Sequence, residues 1–551
     1  MAMSGHEQSE ECEVIAPAGA PPGLLEAFWR YDKALLGNDR PTLDELFMRG
    51  PHTIRGDGQA LLVGHEAIAG FRSARAGIPT RAVVQLHVQV IADDAALLMA
   101  RTRDGDATGL QTQLWRLAGD GDGDAAEDTA GARVTAGERW VVAAAHVSLP
   151  VAPKPAGSAA PFDTTLWRVV GDPLAAATAP GPLEGIGVAV KDLFAVAGQP
   201  VGAGVPAWLA EQQPQRDSAP AVAALLDAGA HLVGIARTDE FAYSLAGTNA
   251  HYGTPPNPAA PGCVSGGSTS GPASAVALGQ AAAGLGTDTA GSIRVPASYQ
   301  GLVGLRTTHG AIGTDGVLPL ARSFDTVGWL TRDVRTSAAV AGILLPGTDA
   351  VAVRRTVRLP EVEALARADV RDAFTAAVQG LTESGQLPPA EVVDLPRDLL
   401  ERWFTAFRTV QAWEAWQAHG SWITGHPGSL GADVAARFAQ ASEVGEEQAA
   451  TARELAAAAR KQLGEWLSGS VLAIPSASGP APARSASGEQ IEAERAATLR
   501  MTCLAGLAGA PALSLPLLRS ADGRPAGLCL LGAPGTDHSL LTLAAGLEIA
   551  P

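Results

Sequence analysis

Apolar residues first recur at helical spacing in GLLEAFWRYDKALLGND, where Leu24, Phe28, Tyr31 and Leu35 share one face of a helix beginning near Pro21–Gly23. Shorter helical patterns follow in TLDELF and GHEAIAGFRSAR. The period then falls towards two in RAVVQLHVQVI, AALLMARTR, TGLQTQLWRL and ERWVVAAAHVSL, which predict strands. The last two flank AGDGDGDAAEDTAGARVTAG, a segment rich in Gly, Asp and Ala that predicts a long hairpin loop. Short helices followed by a run of strands predict a small α+β domain over 20–150, preceded by a disordered tail over 1–19.

A Pro/Ala/Gly-rich stretch over 151–161, VAPKPAGSAAP, predicts a linker, and the texture changes beyond it. GIGVAVKDLF reads as a short buried strand and HLVGIART as another. Between them RDSAPAVAALLDAGA predicts a helix with Asp217 or Ser218 as N-cap, Pro220 in the first turn and Gly229 as its stop. Strand, helix and strand make a β-α-β unit, so residues 162–551 are expected to form an α/β domain with a sheet covered on both faces. A helix-rich insertion is expected near 360–470.

Size and charge narrow the function classes. A chain of 551 residues exceeds one ordinary core, in keeping with two domains. Acidic residues outnumber basic ones by 57 to 40, giving a net charge of −17, and this excludes nucleic acid as the expected partner. No apolar run reaches the roughly 18–20 residues that span a bilayer, and MAMSGHEQSEECEV lacks the basic and apolar regions of a signal peptide. The expectation is a cytoplasmic protein without a membrane partner. Cys12, Cys263, Cys503 and Cys529 have no paired spacing, and the histidines show no ligand grouping, so neither a metal nor a cofactor is expected.

The candidate chemistry lies in two glycine-rich segments, CVSGGSTSGPASAVALG (263–279) and GLGTDTAGSIRVPAS (284–298). Such turns, rich in hydroxyls, suit either an anion cradle of backbone N–H groups or a nucleophile with an oxyanion hole. The phosphate-loop pattern GxxxxGK[ST] is absent, as is the GxSxG elbow. Taken with GIGVAVKDLF, however, the two segments resemble the amidase signature family. The resemblance extends over about 160–551, including PALSLPLLRSADGRPAGLCLLGAPGTDHSLL near the end. The family has a lysine after a short apolar strand, a first serine in a GGSSGG-like turn and a second in D-x-x-G-S. Here Lys191, Ser268 and Ser292 hold those positions, and the two serines are 24 residues apart, as in the family.

The resemblance implies a mixed sheet flanked by helices and a Ser-cisSer-Lys triad. Ser292 would be the nucleophile, and Ser268 would relay its proton to Lys191, which can act as a base only when neutral. The N–H groups of Thr289, Ala290, Gly291 and Ser292 would form the oxyanion hole, where losing one donor costs about 3–4 kcal/mol. The chain departs from the family pattern at Thr269 and Ser270, and at Ala290, which replaces a frequent glycine and requires a negative φ. Asp288 and Arg294 are expected to clamp the turn as a buried ion pair. Arg408 in WFTAFRTVQAWEAW is read as part of a solvated helix face, with a substrate carboxylate as its other reading, and Trp403, Trp413 and Trp416 as core or pocket wall.

Residues 20–150 resemble a SnoaL-like α+β cone, and more narrowly the AtzH-like proteins of cyanuric acid breakdown, which act on 1,3-dicarboxyurea. The similarity rests on FWRYDKALLGNDRPTLDELF, TIRGDGQALLVGHEAIAGFR and WVVAAAHVSLP. It implies that Tyr31, on the first helix, and Arg55, on the loop that follows, point into the cone as a candidate site. The expectation for the whole chain is an amidohydrolase that cleaves a small amide or urea-like carboxylated compound and assembles as a homodimer or larger homo-oligomer. An amidotransferase subunit that generates ammonia, and a front domain that serves only oligomerisation, remain the alternatives.

Overall fold

The computed structural model describes residues 12–17, 19–57, 61–74, 81–104, 107–119, 139–147, 162–347 and 351–547. It divides into two units, 1–160 and 161–551. The expected linker 151–161 lies outside the described residues, as does most of the expected hairpin loop.

In the first unit the amphipathic helix runs over Leu24–Leu36 and buries Leu24, Phe28 and Tyr31. Two shorter helices, Arg40–Glu45 and His65–Ala74, follow it. A seven-stranded sheet has the order Glu13–Ile15, Ala82–Ala92, Ala95–Asp104, Ala107–Ala118, Arg139–Val147, Ile54–Asp57 and Leu61–Val63. Period-two alternation sends Leu86, Leu98, Trp115 and Val142 into one core with the first helix. Two expectations are corrected here. The segment 1–19 is not disordered throughout, because Glu13–Ile15 pairs in parallel with Gln85–His87 and so extends the sheet edge. Arg55 lies on a strand rather than a loop, paired with Ala145 of Arg139–Val147.

The second unit is built on an eleven-stranded mixed sheet flanked by helices. The expected β-α-β unit is present: Gly187–Lys191 and His231–Ala236 pair in parallel, joined through the helix Pro220–Asp227. That helix starts later than its sequence suggests. Its N-cap is Ala219, because Ser218 Oγ instead accepts a hydrogen bond from the Ala197 N–H at 3.0 Å, while Asp217 stays exposed. Gly229 follows the helix with φ +95°, a left-handed conformation that a side chain would disfavour. Ala283–Asp288 pairs in parallel with Gly187–Lys191 on one side and antiparallel with Thr326–Thr331 on the other. The insertion is helical as expected, with Ala368–Glu383, Arg397–Gly425, Ala432–Ser442 and Glu446–Leu467. Trp403 is buried against Trp466, a core role. Among the described residues no helix is long and apolar enough to cross a membrane.

Candidate active site

Three segments of the second unit carry polar groups into its interior. Lys191 ends the strand Gly187–Lys191, all of whose residues are buried. Ser268 lies in the turn before the helix Ser270–Ala277, after a cis peptide bond from Gly267. Ser292 follows the strand Ala283–Asp288 and precedes the helix Arg294–Gln300. The fold brings these residues into a chain: Lys191 Nζ is 2.9 Å from Ser268 Oγ, which is 3.0 Å from Ser292 Oγ. Lys191 and Ser268 have no exposed surface, and Ser292 is 3% exposed.

Burial away from water lowers the Lys191 pKa from 10.5 to about 7, against the opposing fields of Asp239, Asp288 and Asp325. Its hydrogen-bond partners are three hydroxyls, which can serve the amine in either protonation state. Nζ donates to Thr269 Oγ1 at 3.2 Å and to Thr287 Oγ1 at 2.8 Å. The Thr269 hydroxyl has its own proton committed to the Thr287 carbonyl at 3.2 Å, so towards lysine it can only accept. A neutral amine has two N–H donors and one lone pair. In the neutral form, donation to both threonines would leave the lone pair for the hydroxyl of Ser268. Thr269, which departs from the family's motif, therefore holds the lysine, and its N–H also donates to the Ser292 carbonyl at 3.1 Å.

Neighbouring groups fix the two serine turns. Asp239 is buried and accepts from the Gly247 N–H at 3.0 Å and from Ser270 Oγ at 3.1 Å. A Cβ at Gly267 would stand 2.5 Å from Asp239 Oδ2, so that turn requires glycine. Asp288 is fully buried between Arg294 at 2.9 Å and Arg306 at 3.3 Å. Burial alone would raise its pKa, but the two guanidinium groups hold it well below the ordinary carboxylate range. The expected clamp is thus present, with Arg306 as an additional member. Asp288 also corrects the oxyanion expectation, because its Oδ1 accepts from the Gly291 N–H at 2.9 Å. That donor is occupied, which leaves Thr289, Ala290 and Ser292 as the candidate N–H groups. Gly291 itself has φ +123°, whereas Ala290 keeps a negative φ. The Thr289 side chain is held by Asp325 at 2.6 Å.

A small throat beside Ser292 is also lined by Thr289, Ala290, Tyr243, Gln411 and Arg495. Tyr243, Gln411 and Arg495 also line a cavity of about 780 Å³ formed with the helical insertion. Arg408 belongs to the wall of this cavity, so its side chain is exposed to a pocket and not to an ordinary solvated face. Sequence reading did not single out Thr287, Arg306, Tyr243 or Arg495. Among the described residues, no three His, Cys, Asp or Glu side chains are grouped to hold a metal ion.

In the first unit Tyr31 is buried, with its ring edge-on to Trp115, and the Arg55 guanidinium stacks on Phe71 at 4.4 Å. Both lie within electrostatic reach of Arg72, whose pKa is lowered chiefly by burial. A second polar group is also buried here. Arg81 donates to Asp32 at 2.8 Å and to Gln111 at 2.9 Å, while Trp115 donates to Gln113 at 3.1 Å. Arg81 Nη1, Gln111 Nε2 and Gln113 Nε2 are buried without partners among the described residues. Gln111 and Gln113 were visible in TGLQTQLWRL as polar residues in phase with the core residue Trp115, a mismatch that marks a polar interior.

Comparison with known proteins agrees with this architecture. Residues 171–392 match the Amidase family and residues 20–122 the AtzH-like family. Amidase 1 of Oryza sativa subsp. japonica is 35% identical over 66% of this chain and 89% of its own length. The 2-amino-5-chloromuconic acid deaminase of Comamonas testosteroni is 35% identical over 67% of this chain and 82% of its own. A solved structure of Kluyveromyces lactis allophanate hydrolase superposes with a TM-score of 0.60 at 26% identity, covering 66% of this chain and 62% of that one. The chain therefore belongs to the amidase signature family, is an amidase by that membership, and carries an AtzH-like domain ahead of its amidase fold.

Proposed function

We propose that the protein hydrolyses the C–N bond of a small amide or urea-like carboxylated compound through an acyl-enzyme on Ser292. The observation that carries this reading is the unbroken chain from a buried lysine of lowered pKa through Ser268 to Ser292. Ser292 Oγ attacks the scissile carbonyl, and its proton passes through Ser268 to neutral Lys191. The carbonyl oxygen becomes an oxyanion facing the N–H groups of Thr289, Ala290 and Ser292. The same relay returns the proton to the leaving nitrogen as the C–N bond breaks. Water then adds to the acyl carbon, gives a proton to the relay, and releases the acid and free Ser292. The urea-like substrate class draws on allophanate hydrolase among the structural relatives.

A fluorophosphonate tests this directly. Its phosphorus should bond to Ser292 Oγ with loss of fluoride, and amidase activity should fall in proportion to labelling. The purified chain alone should release ammonia or amine without ATP, and EDTA should leave that release unchanged. An adduct mapped to another residue, or release that requires ATP and a partner, would overturn the reading.

For the first unit we propose a ligand-binding role towards a related dicarboxylated urea. Three buried donors without acceptors among the described residues favour a site over an inert scaffold, since each unmet donor costs about 1–3 kcal/mol. Arg55 would pair with one carboxylate and Tyr31 would orient the other end of the ligand. Arg55→Ala should weaken malonate binding to the full chain at least about tenfold by calorimetry, because a charge-assisted bond is worth about 1.5–3 kcal/mol. If affinity is unchanged and removal of residues 1–155 merely breaks up an oligomer, this domain is a scaffold.

A further inference from the structure

The charges lining the cavity next to Ser292 are unevenly paired. Glu240 accepts from the Gly431 N–H at 2.8 Å and the Ala250 N–H at 3.3 Å. Asp433 lies in the first turn of the helix Ala432–Ser442, where unpaired backbone N–H groups favour a negative charge. Arg437 donates to the Tyr243 carbonyl at 3.1 Å and lies 3.6 Å from Glu492. Two guanidinium groups retain unused capacity. Arg495 meets Glu492 at 2.8 Å, yet its Nε is buried without a partner among the described residues. Arg408 lies 5.7 Å from the Phe404 ring centroid and has no carboxylate at ion-pair distance among the described residues.

These two arginines share one cavity. Arg495 lines both the throat and the cavity, whereas Arg408 lines the cavity. Gln411 is three residues from Arg408 on the helix Arg397–Gly425, on the same face, and it too reaches the throat. Arg408, Arg437 and Arg495 all act electrostatically on the phenol of Tyr243, at the junction of throat and cavity. We infer that Arg408 and Arg495 form a carboxylate-recognition site, so that the amide substrate is an anion with a free carboxylate a short chain from its scissile carbonyl.

This inference rests on the reading of Ser292 as nucleophile, and it makes the two arginines determinants of specificity. Burial lowers the Arg495 pKa to about 10, so the group stays charged at neutral pH, and its partner Glu492 is half exposed. A carboxylate in the cavity would supply the missing acceptor and a counter-charge, with Arg408 as a second guanidinium donor. Glu240, Asp433 and Glu492 line the same cavity and oppose a second negative charge, so the site suits a monoanionic end group better than a phosphate.

Labelling of Ser292 by a neutral fluorophosphonate gives a test that needs no known substrate. In the wild-type chain, succinate or glutarate should slow labelling at least about tenfold near saturation, whereas butyramide or sodium chloride at equal ionic strength should not. Arg408→Gln keeps a long polar side chain at an exposed position and should remove most of this protection. Arg495→Gln should do the same. Among substrates, succinamate should be preferred to its methyl ester, with the preference carried in KM and collapsing in both variants. Failure to label Ser292 at all would overturn the nucleophile reading. Normal labelling with no carboxylate protection, or protection unchanged in both variants, would overturn the anion site alone.

Discussion

Ser292→Ala should reduce amide hydrolysis by at least about 10⁴-fold while the protein stays folded, because removing the nucleophile of a coupled triad costs about as much as removing all of it. The substitution deletes one oxygen from a side chain that is 3% exposed, and it keeps the Ser292 backbone N–H proposed for the oxyanion site. Ser268 Oγ loses the partner now 3.0 Å away, a loss of about 1 kcal/mol. Spread over a fold of this size, that is a shift of about one degree in Tm. The carbonyl of residue 292, which accepts from Thr269, is also retained. The checks are ammonia release over a panel of small amides and a thermal melt of the same sample. Near-normal turnover by this variant would remove Ser292 from the mechanism.

The candidate centre was legible in sequence because its residues are local to three short motifs in fixed order. GVAVK reads as a buried strand from its unbroken apolar run, and a lysine at the end of such a strand is costly unless it has a use. What sequence could not show is the occupation of individual donors. The Gly291 N–H looked available because small residues surround it, yet the Asp288 carboxylate folds back three residues to take it. The walls of the cavity were illegible for a different reason. Tyr243, Gln411 and Arg495 come from segments more than 80 residues apart, brought together by the helical insertion. On a helix, an arginine that faces a pocket and one that faces bulk water share the same spacing, so Arg408 could not be placed from its pattern. In the first unit the strand at Ile54–Asp57 was hidden in TIRGDG, too short and too glycine-rich to read as a strand, and it gains order by pairing with the distant strand Arg139–Val147.

The second large effect should appear in the pH dependence. The proposed base is Lys191 in its neutral form, and burial sets its pKa at about 7. Activity measured as kcat/KM should therefore rise about tenfold per pH unit below 7 and level off above it, the reverse of a site that needs a charged lysine. Stability carries the same proton with a defined sign. The folded pKa lies below the unfolded value of 10.5, so between about pH 7 and 10.5 the unfolded chain holds a proton that the folded chain has lost. Unfolding must take up that proton, so the contribution of Lys191 to stability grows as pH rises across this window and is constant below it. Lys191→Met fills nearly the same volume without a titrating group. It should abolish activity at every pH and flatten this part of the stability profile, as read from denaturant midpoints at pH 6.5 and 9.5. It leaves the hydroxyls of Thr287 and Ser268 without the amine, each at about 1–3 kcal/mol, so an overall loss of stability is expected even as the slope disappears. A rising limb centred near pH 10 would show that burial does not lower the Lys191 pKa, and a variant with Met at this position that keeps both the activity and the slope would show that Lys191 is not the base.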